Sequence, residues 1–398
     1  AAARWQEVWL LLGITAAALI VRFWQLREAL RVLVDELNFI LPTLSALDGH
    51  EVKLLQPFSG MIPFPSIYPY WQAGGVALIG RGLGGFRAAS AVIGALTVPA
   101  LYVLARALFD RRTALLAALM LLTFPPHYHF SRIGLNNIAD PLFGTLALAF
   151  LAQGLRTNWR VYFALGGVAL GLTQYFYDGG RWLFPALALV WFGLGSLWWR
   201  PRPSRRGLMV AGLAAVVVAA PIYYTLVGIQ WPLTGRLGIS GLNAEYWQRL
   251  ATGEGMQQQF ERLAATLLIY VHQPENTVFY GGDTPLILPV LIPLFLLGIT
   301  LVVRRWREPG PWLLLSWLAG TSLGNSLLVD SAAASRYVVI FPALTLFMAV
   351  GLRWAVPLLW PGRSARWHQL AMMALAAAVT VTQLAYYFGP HLRLYNRQ

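Results

Sequence analysis

Asp35 and Glu36 are neighbouring carboxylates just beyond the first long apolar run, Val8 to Trp24. A charge in hydrocarbon is costly, so acids at a span exit sit where water meets lipid headgroups, and a carboxylate there can take a proton from an incoming hydroxyl. Position alone fits equally well a pair that only marks the end of a span. Three further polar clusters share this habit of sitting at span ends. Pro125 to Pro141 gathers His127, His129, Ser131, Arg132, Asn137 and Asp140. His127, His129 and Asp140 are conceivable metal ligands, but paired histidines at a membrane interface more often serve as hydrogen-bonding groups, so no metal site is expected. Tyr175 to Arg181 contains Tyr177, Asp178 and Arg181, where Arg181 is either a local ion-pair partner of Asp178 or a ligand for an anion. Arg336 and Tyr337 open a late apolar run.

The elements that must position these groups are membrane helices. Of 398 residues 58% are hydrophobic and 12% charged, with mean hydropathy +0.58, about half the charge of a soluble domain. Apolar runs recur from end to end and leave no soluble domain of ordinary size, so the first run reads as a retained span. The net charge of +14 comes almost entirely from arginine, with Lys53 the single lysine, clustered in short loops. That is the signature of membrane topology, and it excludes a nucleic-acid face. Zero cysteines exclude disulfides, thiol nucleophiles and cysteine-ligated zinc.

Five basic loops, around Arg106 to Arg112, Arg156 to Arg160, Arg200 to Arg206, Arg304 to Arg307 and Arg363 to Arg366, are assigned to the cytoplasmic side. Counting between them gives about eleven spans, beginning near Val8, Phe86, Thr113, Ile138, Val161, Trp182, Gly207, Leu286, Trp312, Tyr337 and His368, with the N-terminus inside and the C-terminus outside. Ser66 to Leu83, broken at its start by Pro63, Pro65 and Pro69, is expected to be re-entrant or interfacial. On this topology Glu7, Asp110 and Glu308 fall inside and the other thirteen of sixteen acids fall outside. Acids contribute little to sorting, so their bias places the polar chemistry on the outer face. The chain reads as one all-α transmembrane domain, 1–398. It has a first outer loop over 25–85, with Ile40 to Leu47 as a short interfacial helix, and a second large outer loop over 228–285 that includes an amphipathic stretch, Phe260 to Val271.

An outer face with a carboxylate pair, Arg132, Arg181 and Arg336, and interfacial aromatics suits transfer of a sugar from a lipid phosphate to a hydroxyl. A glycosidase needs a second carboxyl group to protonate its alkoxide leaving group. A phosphate leaves unaided, so one base suffices, while arginine neutralises the charge growing on the departing phosphate. A single in-line displacement inverts the anomeric centre.

The order of Asp35-Glu36 after span one, Ser131-Arg132 through Asp140-Pro141 after span three, Tyr177 to Arg181 before span six and Arg336-Tyr337 before span ten resembles the GT-C membrane glycosyltransferases. The nearest branch looks like the protein O-mannosyltransferase and aminoarabinose transferase superfamily of dolichyl-phosphate-mannose type. The resemblance implies a GT-C fold, with Asp35 as catalytic base and Glu36 as companion acid. It implies that Asn137 or Asp140 fills the second acidic motif, where the family usually has an acid at the slot Asn137 occupies. Arg181 and Arg336 match arginines near the lipid phosphate. His127, His129, Tyr177, Tyr337 and Asp283, the last from Tyr280-Gly281-Gly282-Asp283, are candidate substrate contacts.

The expected activity is that of an inverting, polyprenyl-phosphate-sugar-dependent glycosyltransferase of the cell membrane, with its site extracytoplasmic and a protein, lipid or glycan hydroxyl as acceptor. No cofactor is expected, and nothing in the residues calls for a divalent cation. Two alternatives stand beside it: an inert GT-C-like subunit of a membrane complex, to which Asn137 points, and a lipid or solute transporter. The small number of ionisable residues in mid-span and the lack of an inverted repeat count against the transporter.

Overall fold

The computed structural model describes residues 2–50, 53–58, 62–65, 67–199, 202–232, 237–238, 241–275, 277–329 and 331–397. Among them every expected span is a helix. In chain order these are α1 (Ala2–Phe23), α4 (Leu83–Leu108), α5 (Arg111–Thr123), α7 (Ala139–Thr157), α8 (Arg160–Leu172), α9 (Asp178–Gly195), α10 (Arg205–Gly228), α13 (Ile292–Arg304), α14 (Pro309–Ser326), α15 (Phe341–Leu359) and α16 (Ala365–Tyr386). Six helical stretches among the described residues are each long and apolar enough to cross a bilayer unaided: Trp5–Phe23, Leu83–Leu108, Asn136–Thr157, Arg205–Gly228, Val338–Leu359 and Ala365–Tyr395. The remainder, such as the 13 residues of α5, are shorter. Pro125 breaks α5 from the short α6 (Pro125–Phe130), because proline supplies no N–H to the turn that would have continued the helix.

The first long connection carries α2 (Val34–Leu47) and α3 (Ile67–Ile79). At 13 residues, about 20 Å, α3 has the same length as α5, α8 and α13. Helix α2 starts six residues before the expected Ile40, which puts Asp35 and Glu36 in its first turn, not in a connecting strand of chain. Between α2 and α3 lies an antiparallel hairpin, Leu55–Phe58 with Ile62–Pro65, a small departure from an all-helical chain that alternating prolines had hidden. The second long connection holds α11 (Ala244–Leu250) and the amphipathic α12 (Gly253–Leu268). The chain ends in α17 (Leu392–Tyr395).

Helices α4, α7 and α15 form the core, and α1, α10 and α16 lie at the periphery, with 89% of the α15 window buried against 11% for α1. The outer flank of α10 shows Met209, Leu213, Val216 and Val217 to the surroundings, as a lipid-facing helix must. At the α13–α15 crossing the backbones touch: a Cβ on Gly298 would lie 2.0 Å from the Phe347 carbonyl oxygen, and one on Gly351 would lie 2.0 Å from that of Leu294. Small residues permit such an approach where no hydrophobic effect drives helices together.

The two ends of the bundle differ in chemistry. At one end the arginine loops meet: Arg156 donates to the Arg106 carbonyl, Arg353 faces Asp110, and the indoles of Trp198 and Trp199 donate to the carbonyl of Arg307. The four polar clusters converge at the other end.

Candidate functional site: a polar plug beside an apolar cavity

Glu36 is the hub of the polar end. It is 3% exposed and takes four donors: Arg87 Nε at 2.8 Å and Nη2 at 2.8 Å, the Gly134 N–H at 2.6 Å and the Leu33 N–H at 2.9 Å. Arg87, fully buried in α4, spends its remaining donors on the carbonyls of Leu30 and Arg31. The pair thereby fixes the first turn of α2 to α4 and to the Ser131–Ile138 connection. Every oxygen of Glu36 is committed, and its position in this site is that of an anchor. Asp35, one residue earlier and so rotated by about 100° on the helix, is half-buried at the edge of the same turn.

The connection tied to Glu36 is itself a brace between three segments. Asn136 donates to the Phe176 carbonyl (3.1 Å) and Asn137 to the Ser335 carbonyl (3.3 Å), next to Arg336. Asp140, fully buried at the start of α7, accepts from the N–H groups of Tyr177 (3.1 Å) and Gly180 (2.7 Å). It caps α9 from outside that helix, satisfying donors that the first turn cannot pair itself, with a carboxylate placed where the helix dipole favours one. A Cβ on Gly180 would come within 2.5 Å of Asp140 Cγ. Gly180→Ala is therefore expected to displace the start of α9 and to cost about 1–3 kcal/mol of stability through overpacking. Thermal unfolding of the purified variant in detergent measures this.

Of the remaining expected site residues, some meet at the cavity and others are spent on the scaffold. Tyr177, Asp178 and Arg336 line the mouth of a cavity of about 390 Å³ between α9 and α14. Arg181 lies one turn away, held by Asp178 (2.9 Å) and the Gln174 carbonyl, so the local ion pair is formed. Arg132 is fully buried and donates to the carbonyls of Trp24 and Gln25 while stacking over Tyr128. It clamps the end of α1 and does not line the cavity. His127 pairs with Arg22 (3.0 Å) and His129 with His391 (3.2 Å), both buried. Neither histidine nor Asp140 converges on a shared point, and among the described residues no group of three potential ligands does. Tyr337 is buried with its hydroxyl on the Ser331 carbonyl, and Asp283 accepts from Tyr386.

Three buried groups went unnoticed in the sequence. Arg22 and Arg87 are single charges inside apolar helices, a signal that such residues have a partner. Glu275 accepts from the Thr277 N–H and hydroxyl, from the Gly281 N–H (3.1 Å) and from the Ala334 N–H (3.2 Å), and so ties the second long connection to the turn carrying Arg336. Burial raises the pKa of its carboxyl above the usual range, against the pull of those donors.

Below its mouth the α9 side of the cavity is apolar, with Leu183, Ala186, Leu187 and Val190, while the facing stripe of α14 mixes Gly320 and Gly324 with the polar Ser316, Thr321 and Asn325. From Tyr177 to Val190 the wall runs about 20 Å along the helix. The helices close again at the far end, where Trp191 donates to the Pro309 carbonyl.

The architecture matches known proteins along the whole chain. ArnT from Cupriavidus metallidurans, solved bound to undecaprenyl phosphate, superposes with a TM-score of 0.59 over 100% of this chain and 75% of its own, at 18% identity. The archaeal oligosaccharyltransferase AglB from Archaeoglobus fulgidus, solved with an inhibitory peptide and a dolichol-phosphate, gives 0.63 over 98% of this chain and 56% of its own, at 16% identity. The chain has the GT-C fold. Within that GT-C frame, residues 64–224 match the dolichyl-phosphate-mannose-protein mannosyltransferase family model. A stretch of 188 residues is 34% identical to the undecaprenyl phosphate-alpha-4-amino-4-deoxy-L-arabinose arabinosyl transferase of Pseudomonas paraeruginosa, which covers 45% of this chain and 31% of that protein. The GT-C chain described here thus aligns with about a third of the length of the curated relatives it matches. With apolar helices throughout, it is a membrane protein.

Proposed function

We propose that this chain is an inverting glycosyltransferase that moves a sugar from a polyprenyl phosphate to a hydroxyl acceptor, at the polar end of the bundle and on the outer face of the cell membrane. The observation that carries the reading is the cavity: a guanidinium and a carboxylate at its mouth, then about 10 Å of apolar α9 wall from Leu183 to Val190, one continuous site for a phosphate and the first units of a prenyl tail. The likenesses to an undecaprenyl-phosphate arabinosyl transferase, and to structures holding undecaprenyl phosphate or dolichol-phosphate, support the same donor class.

Asp35 takes the proton of the acceptor hydroxyl as its oxygen bonds to the anomeric carbon. The bond from that carbon to the phosphate oxygen breaks with its electron pair on the phosphate, and Arg336 meets the charge. Glu36, Asp140 and Glu275 act through position, holding α2, α9 and the Arg336 turn. Sorting of the arginine loops to the cytosol supports an outward-facing site.

The direct test adds radiolabelled undecaprenyl-phosphate sugars to membranes containing this chain and follows label into acceptor. Label that stays on lipid with every sugar and acceptor fraction refutes the reading. Arg336→Ala is expected to weaken undecaprenyl-phosphate binding by about 10–100-fold, the range for a lost hydrogen bond to a charged group. Unchanged affinity on titration of the purified variant takes Arg336 out of the phosphate site.

A further inference from the structure

A second, smaller pocket of about 140 Å³ lies in the second long connection, between α11 and α12. Its polar lining is Asn243, Tyr246, Arg249, Gln258, Gln259 and Arg262, and no carboxylate is among the described residues that line it. Two of these groups are already used: Tyr246 donates its hydroxyl to Gln259 Oε1 (3.0 Å), and the Gln259 amide donates to Ser326. Asn243 Oδ1 accepts from the Tyr246 N–H, which leaves its amide as a donor. Arg249 is held only loosely by Glu245, 3.4 Å away with both side chains mostly exposed. Arg262 is half-buried and makes no ion pair among the described residues. A half-buried guanidinium is ordinarily paired, so the remaining capacity of this pocket is two positive charges and amide donors, which select an anion.

Its place gives that anion a meaning. Gly241 and Val329 line this pocket while their chain neighbours Leu242 and Leu328 line the 390 Å³ cavity, so the two share a wall one residue thick. Gly241 has φ +116°, and a Cβ there would lie 2.7 Å from Val329 Cγ2. Only glycine allows this close approach, which keeps the wall thin.

We propose that this pocket binds an anionic substituent, a carboxylate or a phosphate, carried by the acceptor at a distance from the hydroxyl that is glycosylated. The occupant's being an acceptor rests on the transferase reading above, whereas the anion site does not. Because 140 Å³ is too small for a lipid-linked sugar, the pocket grips a group and leaves the rest of the acceptor to reach over the wall toward the larger cavity.

The test is arginine footprinting of the full chain in nanodiscs: phenylglyoxal modification, read peptide by peptide by mass spectrometry. Saturating inorganic phosphate or acetate is expected to slow modification of Arg262 about tenfold, with glycerol inert and Arg363 in its distant loop unaffected. Whichever anion protects at lower concentration identifies the class. Undecaprenyl phosphate is expected to protect Arg336 and to leave Arg262 reactive. No protection of Arg262 by either anion, or equal protection of Arg363, overturns the site. Protection of Arg262 by undecaprenyl phosphate overturns its assignment to the acceptor. Failure of undecaprenyl phosphate to protect Arg336 counts against the donor reading alone and leaves the anion result standing. In membranes that support transfer, the same anion competes with acceptor, and Arg262→Gln abolishes that competition. Competition that persists in Arg262→Gln overturns the proposal.

Discussion

Asp35→Asn is expected to lower transfer by roughly 10²–10⁴-fold, the usual contribution of a positioned general base. Undecaprenyl-phosphate affinity stays within about twofold, because the substitution removes a proton acceptor and leaves the cavity-lining residues in place. The change is isosteric, so the first turn of α2 keeps its fold, and Glu36 next door keeps its four donors. The discriminating measurement is single-turnover transfer with preloaded donor. A loss that appears only in donor affinity, with the single-turnover rate intact, removes Asp35 from the chemistry.

The largest effect on stability is expected from Arg87→Met. Removing one member of a buried ion pair leaves the other charged and uncompensated, at a cost of about 3–5 kcal/mol. Here the stranded group is Glu36 at 3% exposure, keeping only the N–H groups of Leu33 and Gly134. Thermal unfolding in detergent is expected to show a fall of several degrees or more, and Glu36→Gln in the Arg87→Met background is expected to recover much of it, since both charges are then gone. A double variant as unstable as Arg87→Met alone shows that the lost hydrogen bonds, and not the stranded charge, set the cost.

Element existence was legible because each span carries its own signal: an apolar run bounded by arginine loops. All eleven expected starting points fall in or beside a helix, and Ser66 to Leu83 contains the 13-residue α3. Boundaries were less so. The first turn of α2 has few apolar residues and is fixed by Glu36 reaching Arg87 fifty-one positions away, which no local pattern announces. The site was legible as a set of clusters and not as a division of labour. Arg132 and Arg336 look alike as arginines at span ends, yet one clamps the carbonyls of Trp24 and Gln25 and the other lines the cavity. Asn137 looked like a missing acid, and the structure shows what an amide does there that a carboxylate could not: it donates to the Ser335 carbonyl. Glu275 is inconspicuous in the sequence because its worth lies in the Thr277 hydroxyl and the backbone N–H groups that the fold brings to it.

The Glu36 hub has an implication for inheritance. Its partners come from α4 and from the turn at Gly134, so the stretch bearing the proposed base cannot be transplanted by itself. A chimera that takes residues 34–47 from a relative without a carboxylate at 36 would import a vacancy opposite Arg87. One that takes α4 from a relative without the guanidinium would strand the acid. Descent should have moved these positions as a set, and a designer exchanging the α2 stretch between chains of this fold has to move them as a set too.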